Sequence, residues 1–216
     1  MAFTLRTMQK TLLLSLLPFL SCKNKTENLQ NIIISIQHEV QFADAITTDT
    51  VAYKKLKANI AAKIYRKSHF HLIVDSLAPY WYGTPWNFYG TTQLPLYGKI
   101  ACGYFVTTLV RDAGIPVQRV HLAQQAASKI ITTLCKSSSI QSFSNKQKMI
   151  DYFTKYPNNT LFIIGLDCHV GFVTKENNKL YFLHSSYVAP AVVKKELLLD
   201  AIPINSSKTW MLGLLE

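Results

Sequence analysis

Cysteine is scarce in this chain, four among 216 residues, and no C-x-x-C or H-E-x-x-H spacing occurs. Neither a structural zinc site nor a zinc-peptidase centre is therefore expected, and no metal ligand set is assigned. Acidic side chains are also few, 12 against 23 lysines and arginines, for a formal charge of +11. Such an excess favours anionic partners, among them membrane surfaces, nucleic acid and acidic wall polymers, without choosing between them. No recognisable nucleic-acid-binding signature is present, and no nucleic-acid partner is expected. The apolar run Leu12 to Leu20 falls short of the roughly 20 residues that a membrane-spanning helix takes.

What that run does have is the layout of a secretory signal: Arg6 and Lys10 before it, small Ser21 and Cys22 after it. The site resembles a bacterial lipoprotein cleavage box, with Phe19 where that box usually has Leu, and the resemblance implies that Cys22 is lipidated. The protein would then be exported and anchored through lipid to a membrane, facing the periplasm or cell envelope. A plain signal peptide and an uncleaved anchor are the alternatives. Residues 1–22 are read as signal, 23–30 as a polar tether, and 31–216 as one domain with an N-terminal helical extension over 31–68, a length suited to a single sizeable core.

The rest of the chain is organised around Gly98 to Gly114. Cys102, Phe105, Val106, Leu109, Val110 and Ala113 fall at helical spacing, and Gly114 with Pro116 is a stop signal. This predicts a core helix opening at Cys102. A thiol there meets unpaired backbone N–H groups and the positive end of the helix dipole, which favour the thiolate and could also hold an oxyanion. A buried cysteine is commonly mere packing, so the candidate depends on its company. Downstream lie Phe162 to Val173, an apolar strand run carrying His169, and Tyr181 to Ser186, carrying His184. A nucleophilic cysteine needs a base, and the base an orienting partner.

Helices are predicted over Asn31–Ala45, Val51–Ile64, Phe70–Tyr80, Gln118–Cys135 and from Asn145 toward Tyr156, with Asn145 as cap. The lysine-rich side of Val51–Ile64 reads as a solvated face, with attraction to an acidic surface as a further option. Between Tyr80 and Thr92 the chain carries six aromatics among Gly and Pro. Such a segment either plugs a core or lines a groove, and Tyr82 and Trp86 are its candidate substrate-contacting residues. With Cys22 taken for lipid, three cysteines remain; Cys135 and Cys168 could pair in an oxidising compartment, leaving Cys102 free.

Gly83-Thr84-Pro85-Trp86 with Gly90-Thr91, Cys102 opening a helix that ends at Ala113-Gly114-Ile115, and His169-Val170-Gly171-Phe172 together resemble the NlpC-type cell-wall cysteine peptidases of the papain-like superfamily. The resemblance covers about Phe70 to Tyr187. It implies an α+β papain-like fold, a helix-start cysteine packed on a small antiparallel sheet, with Cys102 as nucleophile, His169 as base and His184 as orienting residue. The family's Asp before the cysteine is Ala101 here, and its following Ser is Gly103, a candidate substrate-contacting position by the same resemblance. In the family those two side chains help hold the free amine of a wall-peptide stem, so a substrate with a free amino terminus is not implied.

Glu176-Asn177-Asn178-Lys179 reads as a hairpin turn. If Asn177-Asn178 is the two-residue turn, 175 pairs with 180, 173 with 182 and 171 with 184, which sets His169 and His184 on one face as diagonal neighbours. A three-residue bulged turn would separate them. The sequence thus points to an exported cysteine peptidase or amidase that cleaves an amide, in cell-wall peptide or a related substrate, through a Cys-His-His site and an acyl-enzyme, with no cofactor. Acyl transfer or deacylation would use the same parts. The rival is a non-catalytic wall-binding or scaffolding lipoprotein.

Overall fold

The structure is a computed structural model that describes residues 25–63 and 67–216. The signal segment and the lipidation site Cys22 lie outside the described residues. Contacts divide the chain into a first unit, residues 1–47, and a second, 48–216. Helix α1 (Lys25–Ala61) replaces three expectations: the tether, helical from Lys25 onward, and two separate helices. No Gly or Pro lies within it to interrupt the hydrogen-bond ladder.

That second unit has mixed α+β architecture around a six-stranded antiparallel sheet, in spatial order β1-β6-β2-β3-β4-β5. The strands are β1 (Gln141–Phe143), β2 (Thr160–Gly165), β3 (Val170–Glu176), β4 (Lys179–Ser185), β5 (Val193–Leu197) and β6 (Trp210–Leu214). Side chains alternate between the faces. Leu161, Ile163, Phe172 and Leu183 join the core that contains helix α3 (Cys102–Asp112). Phe162, Ile164, Val173 and Phe182 join a second core with Met149 and Phe153 of α6 (Lys146–Thr154) and Ile204 of α7 (Ile202–Ser206). Burial on both faces explains why β2 reads as an unbroken apolar run.

Helix α3 begins and ends where its periodicity predicts, and Gly114, at φ 94°, takes the left-handed conformation that stops it. Almost every residue of α3 is buried. The expected Phe70–Tyr80 helix is a π-helical segment, His71–Leu77, followed by α2 (Ala78–Trp81). Pro79 falls in the first turn of α2, where a missing N–H costs no intrahelical bond. The single helix expected over Gln118–Cys135 is two, α4 (Arg119–Ala123) and α5 (Ala127–Leu134). Val120 on α4 is 55% exposed. Asn145 caps α6 as expected, its side chain accepting from the Lys148 N–H at 3.0 Å.

The β3–β4 turn has two residues, with Asn177 at φ 50° and Asn178 at φ 59°, and Lys175 pairs with Leu180 and Val173 with Phe182. This is the register that the two-residue reading requires.

Asp112 ties α3 to α1. It is buried near the C-terminal end of α3, where a carboxylate opposes the helix dipole, and compensation comes from outside. Tyr53 donates its hydroxyl to Asp112 Oδ2 at 2.7 Å, Lys57 Nζ lies 3.1 Å from the same oxygen, and Arg111 Nε donates to Oδ1 at 2.8 Å. Trp81 Nε1 in turn donates to the Tyr53 hydroxyl at 2.9 Å. Asp112→Ala would leave a buried hydroxyl without its acceptor and two cations without their anion. The expected loss is about 3 kcal/mol in urea unfolding, against about 1 kcal/mol for removing the α6 cap with Asn145→Ala.

Candidate active site

A cavity of about 1010 Å³ opens where the start of α3 meets the loop between β2 and β3. Cys102, Gly103, Trp86 and His169 all line it, with Phe88 and Tyr187 among the aromatic walls. Sequence positions far apart converge here because α3 packs along β3 and β4 while the Tyr82–Ala101 loop folds back. Trp86 N–H bonds the Ala191 carbonyl at 2.8 Å, and Ile100 N–H bonds the Pro85 carbonyl at 2.9 Å.

The Cys102 thiol is near the backbone N–H groups of Val170, Gly103 and Cys102 itself, which favour the thiolate. Burial outweighs them and pushes its pKa up. The expectation that the helix start would lower it is corrected: the N–H groups are there, but the site is too dry for them to win.

His169 is buried, with Nε2 2.8 Å from His184 Nδ1. His184 Nε2 lies 2.9 Å from Glu196 Oε1, and Glu196 Oε2 lies 2.9 Å from Lys194 Nζ. The His184 ring stacks on Phe182 with centroids 4.0 Å apart, which holds its plane. Gly171 makes room: a Cβ there would stand 2.9 Å from the His184 Cβ and 2.6 Å from the Phe182 ring. Burial, reinforced by the neighbouring His184, pushes His169 down to about 3. His184 is also lowered by burial, against the pull of Glu196, whose own carboxyl is held low first by its hydrogen bond to His184. The resting cavity is therefore lined by a neutral thiol and a neutral imidazole.

Of the expected residues, Cys102, His169, Gly103 and Trp86 meet at the cavity, and His184 stands behind His169. Tyr82 does not line the cavity; it packs against the core, and burial raises its hydroxyl to about 12. Gly103 serves packing as well as the cavity wall, since a Cβ on it would come 2.3 Å from the Ala123 carbonyl oxygen. Cys135 and Cys168 are both free: the first is buried, and the second is exposed at the cavity, so the expected pair is not formed. Among the described residues no group of His, Cys, Asp or Glu is placed to hold a metal. Glu196 is the member that sequence reasoning missed. Its strand follows no motif, and only the pairing of His184 with Lys194 and Phe182 with Glu196 brings it diagonally across from His184.

Burying His169 uncharged links stability to pH. Its folded pKa, about 3, lies below the ordinary 6.5, so the unfolded chain takes up the proton first and stability falls as pH drops from about 6.5 toward 3. Glu196 acts in the same direction, because its depressed carboxyl loses its contribution as it is protonated. His169→Asn cannot be protonated. The stability gap between wild type and this variant, measured by urea unfolding, should narrow between pH 7.5 and 4.5. A constant gap would mean that His169 is not held neutral.

No family model matches the chain, and no curated protein matches it. A solved structure that does match is protein LPG0564 from Legionella pneumophila str. Philadelphia 1, assigned to DUF1460. It is 10% identical with a TM-score of 0.44, over 81% of this chain and 95% of that one. The resemblance to the NlpC-type peptidases is corrected on this ground: the family of the matched structure is a different one, and no family model supports the motifs. A likeness as distant as this says nothing about what the chain does.

Proposed function

We propose that the protein is a cysteine hydrolase that opens an amide or a related acyl bond through an acyl-enzyme on Cys102. The observation that carries the reading is the shared cavity of Cys102 and His169, with His169 braced from behind by His184 and Glu196. Because the resting pair is neutral, His169 acts as a general base during attack and not as the imidazolium of a preformed ion pair. It takes the thiol proton as sulfur adds to the carbonyl. The N–H groups of Cys102, Gly103 and Val170 near the sulfur are the donors for the developing oxyanion. The proton then passes to the leaving group, and water releases the acyl group. The papain-like arrangement of helix-start cysteine and sheet-borne histidine belongs to this proposal.

The walls suggest the substrate class. The chain has 23 lysines and arginines, yet among the described residues none lines the cavity. Its one carboxylate, Asp167, already accepts from the Lys208 and Thr209 N–H groups and from the Thr209 hydroxyl. Aromatic and apolar side chains, small and large, make up most of the rest. The substrate is accordingly an amide or acyl group flanked by uncharged segments, with no dependence on a free amine. A capped cell-envelope peptide fits both this cavity and the exported reading of residues 1–22. Lipid attachment at Cys22 is part of that proposal. An acylated Cys22 in the mass spectrum of membrane-extracted protein would support it, and an intact Met1 on a soluble protein would refute it.

The central test uses p-nitrophenyl esters, uncharged octanoyl against charged succinyl. Wild type should release p-nitrophenolate in a burst and carry the acyl group on Cys102 by peptide mapping, with octanoyl preferred at least tenfold. Cys102→Ala should carry none. His169→Ala should acylate on the order of 10²-fold more slowly, and His184→Ala should lose less. A folded wild-type protein with no adduct on Cys102 would return the cysteine to a packing role and favour the binding-protein reading.

A further inference from the structure

The four polar groups behind the cavity form a line whose proton arrangement follows once both imidazoles are neutral. Glu196 is a carboxylate, and a carboxylate only accepts. His184 Nε2, 2.9 Å from Glu196 Oε1, must therefore carry a proton and donate it. A neutral His184 has no second ring proton, so its Nδ1 is an acceptor. His169 Nε2, 2.8 Å from that Nδ1, must then donate in turn. His169 is neutral as well, which leaves its Nδ1 as a bare lone pair. From these two hydrogen bonds we infer that Glu196 is a positioning residue that selects, through His184, the His169 tautomer able to accept the thiol proton at Nδ1. This inference rests on the reading of Cys102 and His169 as nucleophile and base.

Other features of the site agree. Both imidazoles are buried, His184 completely, which keeps water from the two ring nitrogens that face each other. Phe182 fixes the plane of the His184 ring, and Gly171 lets the His184 side chain sit over β3. Lys194 Nζ, 2.9 Å from Glu196 Oε2, occupies the other carboxylate oxygen and leaves Oε1 to His184. The opposite arrangement would disable the base. With a donor in place of Glu196, His184 Nε2 would accept, its Nδ1–H would donate to His169 Nε2, and the His169 proton would move to Nδ1, where the lone pair is needed.

Glu196→Gln supplies such a donor with little change of shape, because Lys194 Nζ claims the amide oxygen and turns the NH2 toward His184, and Lys194→Met removes the outer ion pair while keeping the carboxylate. Two readouts separate the inference from the reading beneath it. The first is the His169 ring tautomer from long-range ¹H–¹⁵N correlation spectra of the full chain at neutral pH. Wild type and Lys194→Met should be protonated at Nε2, and Glu196→Gln should show protonation at Nδ1. The second is the rate of Cys102 acylation by p-nitrophenyl octanoate, which should fall roughly tenfold or more in Glu196→Gln and little in Lys194→Met, with folding checked by near-ultraviolet circular dichroism. A wild-type His169 protonated at Nδ1, or a folded Glu196→Gln protein with unchanged tautomer and rate, would overturn the inference. Absence of acylation in wild type with the expected tautomers would overturn the catalytic reading and leave the proton order standing.

Discussion

The pairing of β3 with β4 governs the site. Two asparagines in the left-handed region close the hairpin in two residues, and every partner along the two strands follows from that count. A turn longer by one residue would carry His184 to the opposite face, against α3, and separate it from His169. The space that Gly171 leaves beside His184 has value only in this register. The next pairing, β4 with β5, does the same for Glu196. A chain of hydrogen bonds from a surface carboxylate to a cavity wall is thus built by strand register alone.

Burial then sets the chemistry. The cavity lies at one end of a sheet with apolar cores on both faces, and the ionisable groups beside it are largely withdrawn from water. Desolvation opposes charge on Cys102 and on both histidines. Backbone N–H groups at the start of α3 offset part of that cost for the thiolate without cancelling it. In the proposed reaction such a site would develop charge during attack and not before it. Preorganised donors are most effective under those conditions, because little water must reorganise as the oxyanion forms.

The basic character of the chain is kept away from the site. Lysines on α1 at positions 54 and 55 are exposed, Lys57 serves Asp112, and among the described residues no lysine or arginine lines the cavity. Arg119, one of the few buried cations, braces the region from behind. It donates to the Thr108 hydroxyl at 2.7 Å and to the carbonyls of Thr91 and Thr92 at 3.0 and 2.7 Å, and it lies over the Tyr104 ring. These bonds fasten the aromatic loop to α3. Net charge therefore speaks to the outer surface and not to the substrate.

Local sequence determined what depends on neighbours along the chain. The apolar stripe and Gly114 delimit α3, Asn145 caps α6, and Asn177-Asn178 sets the hairpin and with it the shared face of His169 and His184. The tertiary structure decided what depends on distant contacts. Two separate helices became one in α1 because no breaker lies between them, and the helix expected over Gln118–Cys135 is broken where the Ala123 carbonyl presses on Gly103. Glu196 lies far along the chain from His169 and on a strand with no motif, so only sheet order could reveal its role. The pKa of Cys102 belongs to the same class. A helix start can be read from sequence, but how much water remains beside it is a property of everything packed around it.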